Sequence, residues 1–288
     1  MEDLKLPIEF VQEYRRKAYR YSPNDRLLTI ENAVEFINKR GVLAFWPLKD
    51  IPMPSLWAAT VGDRPVPDDH DDPGHVTWGW KDTLLGKKQC YYGRILCRRN
   101  FFVSLDILPN LYALSHNLGD PAEDHHILYR SGELSFAAFK IYDTLLNSGP
   151  MDTLALKRTA HLSGKEGEQQ FNQAVDALQM DYKIMPVGIS NVGGWRYAFV
   201  YDLVPRQFTD LIERSRFISE SEARNQLILN YLTSVGTATE QDIRRLFKWN
   251  MDVIHQMVDQ LLQTQKIVSV LICDKHQEIP GYALSNLI

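Results

Sequence analysis

Residues 168–204 read EQQFNQAVDALQMDYKIMPVGISNVGGWRYAFVYDLV. Phe171, Ala174, Val175 and Leu178 share one face at helical spacing, so the opening segment is an amphipathic helix. The β-rich runs that follow flank Asn191 to Gly194, and that turn chemistry makes them a hairpin. Upstream stands FKIYDTLLNSG, a helix stopped at Gly149, and then a second short helix near DTLALKRTAHL.

The same order returns between Glu222 and Leu287. ARNQLILNYLTSVG ends at Gly236, TEQDIRRLF and MDVIHQMVDQLLQTQ follow, and KIVSVLICDKHQEIPGYALSNL closes as a strand pair. Phrases align across the copies: VDAL at Val175 with VDQL at Val258, and YKIMPVGI with QKIVSVLI. Three helices and a β-hairpin in about 65 residues form the winged-helix pattern. A degenerate third copy opens the chain, with IEFVQEYRRKAY and TIENAVEFINKRG as helices and VLAFWP as the strand. The segment from Asp63 to Gly119 reads as an elaboration. It holds a hairpin, QCYYGRILCRRNFFVSLDI, turning at Arg99-Asn100, and a helix, LPNLYALSHN. The expected fold is therefore α+β: tandem winged-helix (helix-turn-helix) domains with an N-terminal α/β elaboration. The boundaries expected are 1–130 for the N-terminal domain and 133–206 and 221–288 for the two winged helices.

Composition fits a soluble globular chain, at 44% hydrophobic and 24% charged residues. MEDLKLPIEF lacks the basic start and apolar run of a secretory signal. The longest apolar stretch, Ile267 to Cys273, is too short to span a membrane. Cys90, Cys97 and Cys273 form no CxxC pair, which points to a reduced, cytoplasmic protein. A net charge of −4 argues against indiscriminate coating of nucleic acid, although binding follows the local field and not the total.

Winged helices typically place the third helix in the major groove. Here its outer face carries Glu168, Gln169, Asn172, Gln173, Asp176 and Gln179 in the first copy. The second copy presents Asp252, His255, Gln256, Asp259, Gln260 and Gln263. Amides read adenine edges but carboxylates repel phosphate, so a scaffold role for these helices is the favoured alternative. Basic charge gathers instead at Arg15, Arg16, Lys17 and Arg20, and at Lys87, Lys88, Arg94, Arg98 and Arg99. The second group is interleaved with Tyr91, Tyr92, Phe101 and Phe102. Such a hairpin either holds phosphates while a ring stacks on a base, or turns its aromatics inward. Trp195 and Arg196 at the NVGGWRY turn are further candidates for the DNA backbone. Arg244, Arg245 and Lys248 read as a solvated face.

DDHDDPGHVTWGWKD, from Asp68 to Asp82, admits three readings. His70 and His75 with the neighbouring carboxylates offer metal ligands, but consecutive residues seldom converge on one ion and the spacing matches no known pattern. Alternatively Asp69, His70 and Asp72 form a catalytic loop beside tryptophans that stack on a flipped base. The third reading, which is preferred, is a polar turn at Asp72-Pro73-Gly74 leading into a short helix through WKDTLLGKK. His125-His126 is expected on a helix and in solvent. Phosphate loops of the GxGxxG and P-loop types are absent.

The two C-terminal copies, the opening TIENAVEFINKRGVLAFWP, and the Trp- and Tyr-rich block through LDILPNLYALS resemble the tandem winged-helix DNA glycosylases of the AlkZ/YcaQ type. That resemblance covers most of the chain. It implies winged-helix units set in a C around double-stranded DNA, repair of alkylated or crosslinked bases, and no metal or organic cofactor. In that family a Gln-x-Gln or Gln-x-Asp motif positions the attacking water. The matching stretch here, LAFWPLKDIPMPSLW, contains no glutamine. Phe45, Trp46 and Pro47 occupy its neighbourhood and Asp50 is the nearest carboxylate. If the chain is a glycosylase, the resemblance therefore leaves Asp50 or the Asp68–Asp72 loop as the acid. The alternatives are a non-catalytic DNA-binding protein and a protein-interaction module on the same scaffold.

Overall fold

The computed structural model describes residues 4–68, 71–115, 117–194, 196–275 and 277–287. The protein is α+β. Its chain opens with β1 (Leu4–Pro7), α1 (Ile8–Ala18), α2 (Ile30–Arg40), β2 (Val42–Ala44) and α3 (Leu56–Val61). Next come α4 (Val76–Leu84), β3 (Tyr91–Arg94), β4 (Asn100–Val103), α5 (Leu108–Ala113) and α6 (Asp124–Arg130). The first repeated phrase is α7 (Phe136–Ser148), β5 (Met151–Asp152), α8 (Thr153–Thr159), α9 (Lys165–Met180), β6 (Ile184–Ser190) and β7 (Ala198–Leu203). Two short helices, α10 (Val204–Gln207) and α11 (Leu211–Arg216), lead to the second. That is α12 (Glu220–Val235), β8 (Thr237–Ala238), α13 (Glu240–Phe247), α14 (Met251–Gln263), β9 (Ile267–Asp274) and β10 (Gln277–Leu284). Among the described residues no helix is long and apolar enough to cross a membrane.

Residues 1–77, 102–107 and 220–288 gather into one compact unit, and 78–101 with 108–219 into another. In the first unit, β1 joins β9 in parallel, with Leu4 beside Val270 and Leu6 beside Ile272, giving a sheet ordered β1-β9-β10-β8. This N-terminal strand is not visible as a β pattern in LKLP. Its inward residue Leu6 joins Val11, Val270, Ile272 and Ala283 in an apolar cluster. The carbonyls at the end of α12 and the start of β8 also draw α1 in. Tyr14 Oη donates to Thr233 O at 2.7 Å, and Arg15 donates to Val235 O and Thr237 O, each at 3.0 Å. Cationic donors at a helix C-terminus satisfy orphan carbonyls and oppose the negative end of the dipole. Thr239 and Asp242 cap α13 reciprocally, each side chain accepting from the other's backbone N–H.

In the second unit the sheet is ordered β5-β7-β6. Ile141, Leu145, Leu156, Phe171, Leu178 and Ile184 are buried together beneath it. Asp152 caps α8 by accepting from Leu154 and Ala155 N–H groups. The α7 C-terminus is held as that of α12 is: Arg206 donates to Leu145 O and Leu146 O. Arg206 is steered there by the wholly buried Asp202, 2.5 Å away.

Two local expectations shift. The hairpin turn is a 3-10 turn over Leu96–Arg98, closed by Ile95 N–H to Arg99 O, and Asn100 already belongs to β4. His125 does lie on a helix, but it is buried at 1% exposure, because α6 packs against α7 with this residue inward.

Candidate nucleic-acid interface

In the second unit, β3 and the turn that follows it separate buried aromatics from exposed charges. Tyr91 is fully buried and Tyr92 is 4% exposed, Tyr91 packing 5.8 Å from Tyr182 between ring centroids. Both rings, expected as candidates for stacking on a base, are packed in the core. Arg94 is partly solvated but paired within this unit. Its guanidinium pairs with Asp176 at 3.1 Å and donates to Arg98 O at 2.9 Å, and its N–H donates to Gln179 Oε1 at 3.2 Å. Asp176 and Gln179 lie on α9's outer face, so the hairpin covers the C-terminal half of that face. Glu168, on the N-terminal half, pairs with Lys157, which holds its carboxyl below the usual range.

Lys87, Lys88, Arg98, Arg99 and Arg196 are exposed, while Trp195 lies outside the described residues. The Lys87-Lys88 loop is pressed against β6. Gly86, at φ +71°, has no room for a Cβ, which would fall 2.5 Å from the Val187 carbonyl oxygen.

An unexpected residue holds the β6–β7 hairpin in place. Lys81 of α4 is 1% exposed, with its ammonium about 5 Å from the ring centroids of Trp78, Tyr197 and Phe199. It donates to Tyr197 Oη and lies 2.8 Å from Asp82, whose carboxylate also accepts from Tyr197. Burial lowers the Lys81 pKa and Asp82 opposes that shift. In sequence this lysine looks like any polar helix position. Its one clue is the spacing Trp78-x-x-Lys81, which puts cation and ring on one helical face.

One basic cluster of the first unit lies at the α13–α14 turn. Arg244, Arg245 and Lys248 are exposed and, with Gln241, Trp249, Asn250 and Met251, line a surface cleft of ≈ 480 Å³ at the start of α14. Lys248 adopts φ +61°, the left-handed conformation that ends α13. In sequence this cluster reads as a solvated face. The signal that sets it apart is position: it occupies the turn preceding a third helix, whose N-terminal N–H groups favour anions.

Arg245 is shared with a second cleft, of ≈ 430 Å³, lined also by Arg15, Tyr19, Leu48, Asp50, Ile51 and Asp242. Asp50 is exposed at φ +60°, and its carbonyl oxygen accepts from Arg245 at 3.4 Å. Asp72 is engaged elsewhere, accepting from Arg64 at 2.6 Å and from Gly74 N–H at 2.7 Å. The Arg64 hydrogen bond holds its carboxyl low. Asp72 thus caps the Pro73–His75 turn. Asp69 and His70 lie outside the described residues. Phe45 is buried, and the Phe45–Trp46–Trp57–His75 rings pack edge-on or tilted where the resemblance would put a glutamine.

Among solved structures, the chain is similar to the DNA glycosylase AlkZ of Streptomyces sahachiroi, with a TM-score of 0.60 and 10% identity. The match covers 98% of this chain and 71% of that one, and at such identity it is a likeness of fold. No curated protein matches. A model of the family described as AlkZ related matches residues 27–248, well over half of the chain. The chain belongs to the AlkZ-related family, of the AlkZ/YcaQ type.

Proposed function

We propose that the protein binds double-stranded DNA and acts as a glycosylase-like repair protein on alkylated or crosslinked bases. The two helix–helix–helix–hairpin segments are winged helices in this reading, since each supplies a first helix, a short strand, two further helices and a closing hairpin in that order. The observation that carries it is the position of Arg245, which lines both the basic cleft at the α14 N-terminus and the cleft holding Asp50. Cations at Arg244, Arg245 and Lys248 hold phosphates there, and Asp50 faces the same bound strand.

Hydrolysis of an N-glycosidic bond makes modest demands on that carboxylate. The alkylated base leaves with the bonding electron pair, the sugar becomes cation-like, and water adds to its anomeric carbon while losing a proton. Asp50 stabilises the cation and orients the water. Its carboxylate accepts no hydrogen bond within the described residues, whereas that of Asp72 is occupied by Arg64 and Gly74.

The test is release of free base from a duplex carrying one N7-alkylated purine. Release above the spontaneous rate, lost in Asp50→Asn with binding retained, supports the enzyme. Salt-dependent binding with no release supports the second reading, a non-catalytic DNA-binding protein. That reading is favoured by the missing glutamine in residues 43–57.

A further inference from the structure

We propose that His125, His126 and Asp143 form a binding site for a divalent transition-metal ion of the zinc class. One ligand atom from each of the three lies within 4.8 Å of the others. His125 Nε2 and Asp143 Oδ1 are 3.6 Å apart. Two ligands about 2.0–2.1 Å from a tetrahedral metal are separated by about 3.3 Å, so a small inward movement brings this edge to coordination distance. The His125 and His126 rings approach to 4.1 Å between centroids, tilted by 41°.

The burial of His125 supports this clustering. Its ring is 1% exposed, and neither ring nitrogen comes within ordinary hydrogen-bond distance and geometry of a described group; the Asp143 carboxylate, 3.6 Å from Nε2, and the Pro121 backbone are its polar neighbours. Native structures rarely leave a buried polar group unsatisfied without a role for it. Phe139 stacks on the ring at 5.4 Å and Tyr142 lies 5.0 Å away, which fixes its orientation, and His125 also borders a small polar cavity with Asn117, Asp124 and Lys183. Asn147 Nδ2 donates to Asp143 Oδ1 at 3.1 Å, orienting the carboxylate as partners of metal ligands do. His126 and Asp143 are only partly buried, which leaves solvent to complete the coordination. Two imidazoles and one carboxylate suit zinc, cobalt or nickel and not calcium or magnesium. Since the two histidines lie on α6 and the aspartate on α7, a bound ion fastens one helix to the other.

The test uses the full chain, stripped with a chelator, titrated with zinc chloride by calorimetry and with cobalt chloride by visible absorption. The variants are His126→Ala and Asp143→Asn, which spare the buried His125 and so keep the fold. One tight equivalent of zinc, a tetrahedral cobalt spectrum, and at least about a tenfold loss of affinity in each variant are expected. Zinc also raises the melting temperature of the parent more than that of either variant, while the metal-free proteins melt alike. Absence of tight binding would overturn the proposal. So would binding unchanged in both variants, which would place the ion on others among the eight histidines.

Discussion

Arg94 of β3 and Asp176 of α9 form an ion pair at 3.1 Å that closes part of the outer face of the α9 helix. Within its unit, Asp176 and Gln179 of the helix's outer face are bonded to the hairpin. Arg94→Ala is expected to lower stability by under about 1 kcal/mol, given that both side chains are partly solvated. DNA affinity and its salt slope should stay unchanged. A drop in the slope on removing Arg94 would show that the pair opens to meet phosphate.

Arg244 and Lys248 should behave oppositely. Removing one cation from a DNA phosphate reduces the slope of log affinity against log salt by about 0.9. Arg244→Ala and Lys248→Ala are each expected to lower it by about that amount, and the double variant by twice as much, with melting little changed. Unaltered slopes would move the DNA interface away from the α13–α14 turn.

Lys81 is predicted to matter for the fold. Lys81→Ala leaves Asp82 without its cation and opens space among three rings, an effect of about 2–3 kcal/mol. Lys81→Met keeps the packing and should cost less than half of that. Urea unfolding gives the two values, and limited proteolysis of the 190–197 turn reads whether the hairpin loosens. Equal losses in both variants would show that charge, and not filling, holds the site.

Alkaline pH supplies another test. Burial raises Tyr21 and Tyr282 to about 12, and raises Tyr91, Tyr92, Tyr182 and Tyr201 further. Unfolded tyrosine ionises near about 10, so the folded state prefers the neutral phenol. That contribution is whole below about pH 10 and is lost as pH climbs through the folded values. Circular dichroism should hold to about pH 10 and then collapse together with a delayed rise in tyrosinate absorbance. Free titration of most tyrosines at their unfolded value with the fold intact would contradict the burial.

Much of this architecture is legible in the sequence because its signals are local. Phe171, Val175 and Leu178 announce α9 by periodicity, and VDAL against VDQL sets the two segments in register. What local pattern does not carry is long-range pairing. β1 becomes a strand only by lying along β9, more than 260 residues away, and LKLP alone has no such preference. Arg94 reads as one of a row of cations, and its partner Asp176 stands 82 positions later. His125 reads as solvent-exposed because its neighbours are polar, yet α7 covers it with Phe139 and Tyr142. At the site, Asp50 is found by nearness to the missing glutamine. Its neighbour Arg245 is supplied by a helix almost 200 residues on.

The central claim is DNA binding at the clefts that meet at Arg245. It is tested most directly by fluorescence anisotropy of the full chain on two labelled duplexes, one intact and one carrying a stable abasic analogue, at low and physiological salt. Tighter binding to the abasic duplex, a negative salt slope, and loss of both in Arg245→Ala are predicted. Absence of binding to either duplex at low salt, or binding indifferent to Arg245, would contradict the claim.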